Sequence, residues 1–97
     1  MYFVVTCRDG AASAPDRAAV LAAHRDHVDR YAEQLVLSGP LLEADGQTRC
    51  GQLFVLDVAT MAAARQFADD DPFTAAGIFE SVRVGAFLPI FRDGRRV

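Results

Sequence analysis

Lysine does not occur among the 97 residues, so the chain has no amine for Schiff-base chemistry and no lysine general base. Cysteine is scarce. Cys7 and Cys50 are the only two, too few for a secreted disulfide scaffold and without the C-x-x-C spacing of a metal or redox site, so both are read as reduced thiols. No apolar run approaches the roughly 20 residues of a membrane helix, and the start, MYFVVTCRDG, lacks the basic and long apolar regions of a signal peptide. The expectation is a cytoplasmic protein with no membrane partner. Positive charge is also in deficit: 10 arginines stand against 13 acids, for a net charge of −3. The arginines are scattered, and the one cluster, Arg92, Arg95 and Arg96 around Asp93, reads as a solvated tail. Nucleic acid needs clustered positive charge and is excluded as a partner.

What is present is an ordinary globular composition, 52% hydrophobic and 24% charged, which argues against disorder. A chain of this length makes one domain, residues 1–97, and buries only about two-thirds of its unfolded surface. The first run, YFVVTC at 2–7, is β-branched and aromatic and predicts a strand, ended by RDGAAS. From Pro15 to about Val36 the composition turns helical, with Pro15 suited to the first turn and Asp16 to the helix dipole. Leu21, Val28, Tyr31 and Leu35 mark an apolar stripe on which position 24 fills the gap between 21 and 28, so His24 falls on the buried face.

Strands are predicted around 36–42 and 51–58, joined through a turn at Asp45-Gly46. Thr60 is placed to cap a short helix ending near Asp70, residues 73–77 can add one more turn, and a last strand is predicted from Phe79 to about Phe91. Gly94 and the arginines beyond it are expected to trail off. The order β-α-β-β-α-β closes most simply as a ferredoxin-like α+β domain, a four-stranded antiparallel sheet with both helices on one face. Both parities of the strands are apolar, as in Tyr2/Val4 against Phe3/Val5 and Leu53/Val55 against Phe54/Leu56. Two helices cover one face only, so the other predicts a homodimer with sheets packed face to face.

The stretch FADDDPFTAAG at 67–77 poses the chemical question. In this topology His24 and Asp71 lie towards the same edge of the sheet, where Asp71 can fix the imidazole tautomer and leave the far nitrogen as a base. Two structural roles stand beside that one: Asp71-Pro72 is also a good helix start, and a histidine on an apolar stripe can be a core residue bonded to backbone. Asp69 and Asp70 oppose the helix dipole and have no assigned role. A metal held by His24, His27 and the aspartates lacks any accompanying H-E-x-x-H or cysteine pair, and none is expected. A Ser38-His24-Asp71 triad lacks a nucleophile-elbow motif. Cys7 and Cys50 are placed as possible cross-strand neighbours.

Arg17 followed by His24, SGPLL at 38–42, GQLFVLDV at 51–58 and FADDDPFTAAGIFESVRVGAF at 67–87 together resemble the YCII-related (YciI-like) family over almost the whole chain. The resemblance implies a ferredoxin-like fold paired into a dimeric α+β barrel, similar to muconolactone-isomerase-like barrels. It also implies an active site on His24 and Asp71, with Ser38, Gly39 and Pro40 near the same pocket. His27 matches no mark of the family, which includes a dehydrochlorinase acting on chlorinated hydroxyhydroquinones. The expected function is therefore proton abstraction by His24, oriented by Asp71, with elimination or isomerisation of a small cyclic or aromatic metabolite and no cofactor. The alternative is a non-catalytic dimeric module that binds a small ligand or supports another protein.

Overall fold

A computed structural model describes residues 1–12 and 14–97; Ser13, in the segment expected to break the first strand, lies outside the described residues. The elements are β1 (Tyr2–Asp9), α1 (Ala14–Arg30), β2 (Leu35–Leu42), β3 (Arg49–Asp57), α2 (Met61–Asp70), α3 (Pro72–Ala75), β4 (Phe79–Phe87), β5 (Phe91–Arg92) and β6 (Arg95–Arg96). The first four long strands form one antiparallel sheet in the order β2-β3-β1-β4. This is the ferredoxin-like α+β fold. No helix among the described residues is long and apolar enough to cross a membrane.

Alternation along the central strands sorts the side chains. Phe3, Val5 and Cys7 of β1 and Phe54 and Leu56 of β3 are buried with Ala64, Phe67, Ala68 and Phe73 of the helices. Tyr2, Val4, Leu53 and Val55 have the opposite parity and line the other face, with Leu37 and Phe87 exposed beside them. Phe79 breaks the alternation. A register shift between Arg8 and Asp9 turns it inward, where it is buried and meets Phe73 edge-on at 5.8 Å. A slip of one residue exchanges the faces of a strand, which is what the bulge does here.

Two predicted boundaries need correction. The first helix stops at Arg30, not near Val36: Tyr31 to Gln34 form turns, and Gln34 accepts a hydrogen bond from the Asp57 amide at 2.7 Å as Leu35 enters the sheet opposite Leu56. Sheet pairing supplies what another helical turn would have supplied, so it overrides the helical composition of YAEQ. The last strand likewise ends at Phe87, short of Pro89, which has no amide to donate to a ladder. The tail does not trail off. Asp93 and Gly94, both at positive φ (55° and 77°), turn β5 back onto β6 in a small hairpin.

The remaining punctuation is as expected. Thr60 accepts a hydrogen bond from the Ala63 amide at the start of α2. Asp45 caps the β2–β3 turn by accepting from the Gln47 and Thr48 amides, each at 2.9 Å, with Gly46 at φ 70°. Asp70, at the unfavourable end of α2, accepts from Gln66 Nε2 one turn earlier at 2.7 Å.

Candidate active site

The chain turns sharply between α2 and α3, and Asp71 is the residue at the turn. Pro72 behind it disfavours helical backbone, so Asp71 adopts φ −63°, ψ 124° and its side chain swings inward. Its Oδ1 accepts two hydrogen bonds, from the Phe73 amide at 2.9 Å and from His24 Nδ1 at 2.7 Å. Asp71 is 1% exposed and His24 8%. A carboxylate is acceptor-only, so Nδ1 carries the hydrogen and, in the neutral ring, Nε2 keeps its lone pair. Nε2 has no hydrogen-bond partner among the described residues. Phe73 lies flat against the imidazole, with ring centroids 3.9 Å apart and planes 4° from parallel, which fixes the ring plane as Asp71 fixes its edge. The two roles foreseen for Asp71, helix cap and histidine partner, are both occupied by one oxygen atom.

Around this pair stands a polar group that sequence reading left unassigned. Asp9 Oδ2 is 2.9 Å from Arg49 Nε and 3.2 Å from Arg17 Nη2. Arg49 also donates to the Gly51 carbonyl at 3.1 Å. Arg17 lies two helical turns before His24, and its guanidinium sits over the Phe73 ring at 5.5 Å from the centroid. The seven-residue spacing of Arg17 and His24 is the sequence signal that could have joined them, since it puts both on one helix face. Cys7 lies under the same region, its thiol pushed up to about 12 chiefly by burial and further by the charges of Asp71 and Asp9. It is therefore a neutral thiol and no nucleophile at physiological pH.

The other predicted residues make no hydrogen bond or ring contact with the pair among the described residues. Ser38 and Pro40, both exposed, stand opposite Phe54 and Gln52 on the helix side of the sheet, whereas Gly39 stands opposite Leu53 with the other parity. Ser38 has no hydrogen bond to His24 or Asp71 among the described residues. A Cβ added at Gly39 would meet nothing within 4 Å in this chain. His27, three residues from His24, donates from Nε2 to the Phe67 carbonyl at 2.9 Å and packs on Phe67 and Tyr31. It is a core histidine. Among the described residues no group of three His, Cys, Asp or Glu is placed to hold a metal ion. The two cysteines are free, and Cys7 pairs with Gln52, not Cys50.

Comparison with known proteins agrees with the ferredoxin-like fold. The chain is 29% identical to Protein YciI of Escherichia coli and to that of Shigella flexneri, in each case over 98 residues that cover 94% of this chain and all of the relative. Its fold is similar to that of 5-chloro-2-hydroxyhydroquinone dehydrochlorinase (TftG) from Burkholderia phenoliruptrix AC1100, solved in complex with 2,5-dihydroxybenzoquinone. That likeness has a TM-score of 0.79 at 25% identity and covers 91% of this chain and 94% of the dehydrochlorinase. The family model for the YCII-related domain matches residues 1–88, and the chain accordingly belongs to the YCII-related family.

Proposed function

We propose that this protein is an enzyme that removes a proton from a small cyclic or aromatic metabolite, with His24 as general base and Asp71 as its orienting partner. The observation that carries the reading is the buried 2.7 Å contact from His24 Nδ1 to Asp71 Oδ1. It leaves Nε2 as the acceptor of the substrate's proton. As the proton arrives, the imidazolium is stabilised by the adjacent carboxylate, and the substrate's electron pair is free either to expel a leaving group or to be reprotonated elsewhere. In a dehydrochlorination the chloride departs with the pair from its bond to carbon, so the net loss is HCl. Similarity to TftG supports elimination as the first reaction to try. Ser38, Gly39 and Pro40 of β2 belong to the proposed substrate site, with the Ser38 and Pro40 side chains on the helix side of the sheet and Gly39 contributing backbone alone.

The active form in this reading is a homodimer joined through the open sheet face. Support comes from that face itself: Tyr2, Leu37, Val55 and Phe87, with the C-terminal hairpin, line a mostly apolar cleft of about 340 Å³ remote from His24. Leu37 is 63% exposed in the single chain. A face of this character is ordinarily covered in solution.

The test is anaerobic incubation with 5-chloro-2-hydroxyhydroquinone, with chloride release measured for the wild type, His24→Gln and Asp71→Asn. Release by the wild type that falls about a hundredfold or more in His24→Gln is expected, the usual size of a general-base contribution. Turnover indifferent to His24 would sink the assignment of the base. Binding without turnover would favour the ligand-binding module instead.

A further inference from the structure

Arg17 is held more firmly than a surface arginine and yet is incompletely used. Its Nη2 pairs with Asp9 at 3.2 Å, but Asp9 divides its carboxylate with Arg49, which is closer at 2.9 Å. One carboxylate thus serves two guanidinium groups. Arg17 Nη1 is buried and has no hydrogen-bond partner among the described residues, and the other buried polar atom in that position is Thr74 Oγ1, next in sequence to Phe73. An unpaired N–H on a desolvated cation is costly, more so than on a neutral donor. Orphaned donors of this kind ask for an acceptor that the chain does not supply.

The location of that donor relates it to the His24–Asp71 pair. The guanidinium and the imidazole both rest on Phe73, at 5.5 Å and 3.9 Å from its ring, and their rise along α1 over seven residues is about 10 Å. One aromatic side chain therefore sets the position of the cation relative to the base. The Arg17 side chain as a whole keeps 21% of its surface exposed, while Nη1 itself is buried, so a ligand oxygen reaches it only by entering beneath that exposed part.

We propose that Arg17 is a substrate-binding residue whose free Nη1 receives an anionic oxygen, so that the substrate is a small ring compound bearing a phenolate or carboxylate as well as the proton that His24 removes. The inference rests on the proposed acid–base site, but it is a statement about binding and can be tested without turnover. Arginine suits the task because its planar fork keeps one arm on Asp9 while presenting the other to the ligand. Arg49, with arms on Asp9 and on the Gly51 carbonyl, holds Asp9 in place and is not the ligand's partner.

The experiment compares two anionic probes with uncharged counterparts of similar shape: benzoate beside benzamide, and ionised 4-nitrophenol beside nitrobenzene. Dissociation constants are measured by NMR titration for the wild type, Arg17→Met, Arg17→Lys and His24→Gln. Met keeps an apolar stem over Phe73, and Arg49 continues to pair Asp9, so the fold is retained; Lys provides a second, charge-conserving variant. The expected result is that at least one anion binds the wild type more tightly than its neutral counterpart. Arg17→Met should abolish the preference by weakening the anion about tenfold or more, with partial recovery in Arg17→Lys and none of the effect in His24→Gln.

Preference for benzoate assigns a ring carboxylate, and preference for the nitrophenolate assigns a hydroxylated ring. The proposal is overturned if neither anion is preferred by the wild type, if Arg17→Met leaves the preference intact, or if it weakens anion and neutral probe alike. Loss of the preference in Arg17→Met without any dehydrochlorination by the wild type would uphold anion binding while removing the proposed reaction. Dehydrochlorination that survives in Arg17→Met with unchanged KM would do the reverse.

Discussion

His24 and His27 stand three residues apart on α1 and are both buried, but they are bonded through opposite ring nitrogens. His24 offers Nδ1 to the Asp71 carboxylate at 2.7 Å, and His27 offers Nε2 to the Phe67 carbonyl at 2.9 Å. Both acceptors lack hydrogens to give, so the neutral rings must be opposite tautomers. The difference separates a ring available for chemistry from a ring committed to the core. Long-range ¹⁵N–¹H correlation spectra should show His24 protonated at Nδ1 and His27 at Nε2. Two identical tautomers would contradict one of the two contacts.

Asp71 combines the roles of cap and partner, and substitutions can separate them. Asparagine caps a helix about as well as aspartate, whereas alanine does not cap and leaves the His24 donor unmatched. Asp71→Asn should therefore retain most of the stability, while Asp71→Ala should lose about 2–4 kcal/mol in urea unfolding. If the two variants were equally stable, the side chain would not be serving α3.

His27→Ala should cost about 2–4 kcal/mol through the lost ring packing and hydrogen bond. His27 is 2% exposed, and nothing about it touches the His24–Asp71 contact, so the His24 tautomer should be unchanged. A changed tautomer at His24 in this variant would show that the two histidines are coupled.

Glycine is required at 51 and optional at 39. A Cβ at Gly51 would come within 2.1 Å of the Cys7 carbonyl oxygen, which is backbone and cannot yield without breaking the β1–β3 register. Gly51→Ala should destabilise by more than about 4 kcal/mol or prevent folding, whereas Gly39→Ala should change monomer stability by less than about 1 kcal/mol. Thermal melts of the two variants check the contrast, and comparable losses would refute it.

The pH dependence at the alkaline end follows from Cys7. Its folded-state value, about 12, lies above the ordinary 9.0 because burial disfavours the thiolate. The native state therefore holds the proton more tightly than the unfolded chain. This contribution is fully present below about pH 9 and is lost as pH rises towards 12. Cys7→Ala should flatten the fall in stability across that window, and thiol reagents near neutral pH should modify the partly exposed Cys50 well before Cys7. Rapid labelling of Cys7 in the folded protein would contradict its burial.

The apolar open face predicts the oligomeric state. Sedimentation equilibrium should find a dimer, and Leu37→Asp should shift it towards monomer without unfolding the chain. A wild type that sediments as a monomer at micromolar concentration would remove the sheet-to-sheet interface.

Local chemistry by itself determines much of this protein. The element order, Thr60 as a cap, the Asp45-Gly46 turn, Pro72 as a helix start and His24 on a buried stripe all depend on side chains acting within a few residues of themselves. Tertiary structure decided the rest. The end of α1 at Arg30 is set by the pairing of Gln34 and Leu35 with β3, and the inward turn of Phe79 by a bulge that only the opposing strand defines. The gathering of Asp9, Arg17 and Arg49 is likewise beyond periodicity, because the three lie on different elements and meet through long-range ion pairs. Even the pairing of His24 with Asp71, foreseeable from topology, acquires its geometry only when Phe73 stacks on the imidazole and one carboxylate oxygen accepts from both helix and ring. Short-range hydrogen bonding and steric preference are written residue by residue, but a site assembled across 47 positions of sequence exists only once packing has brought its parts together.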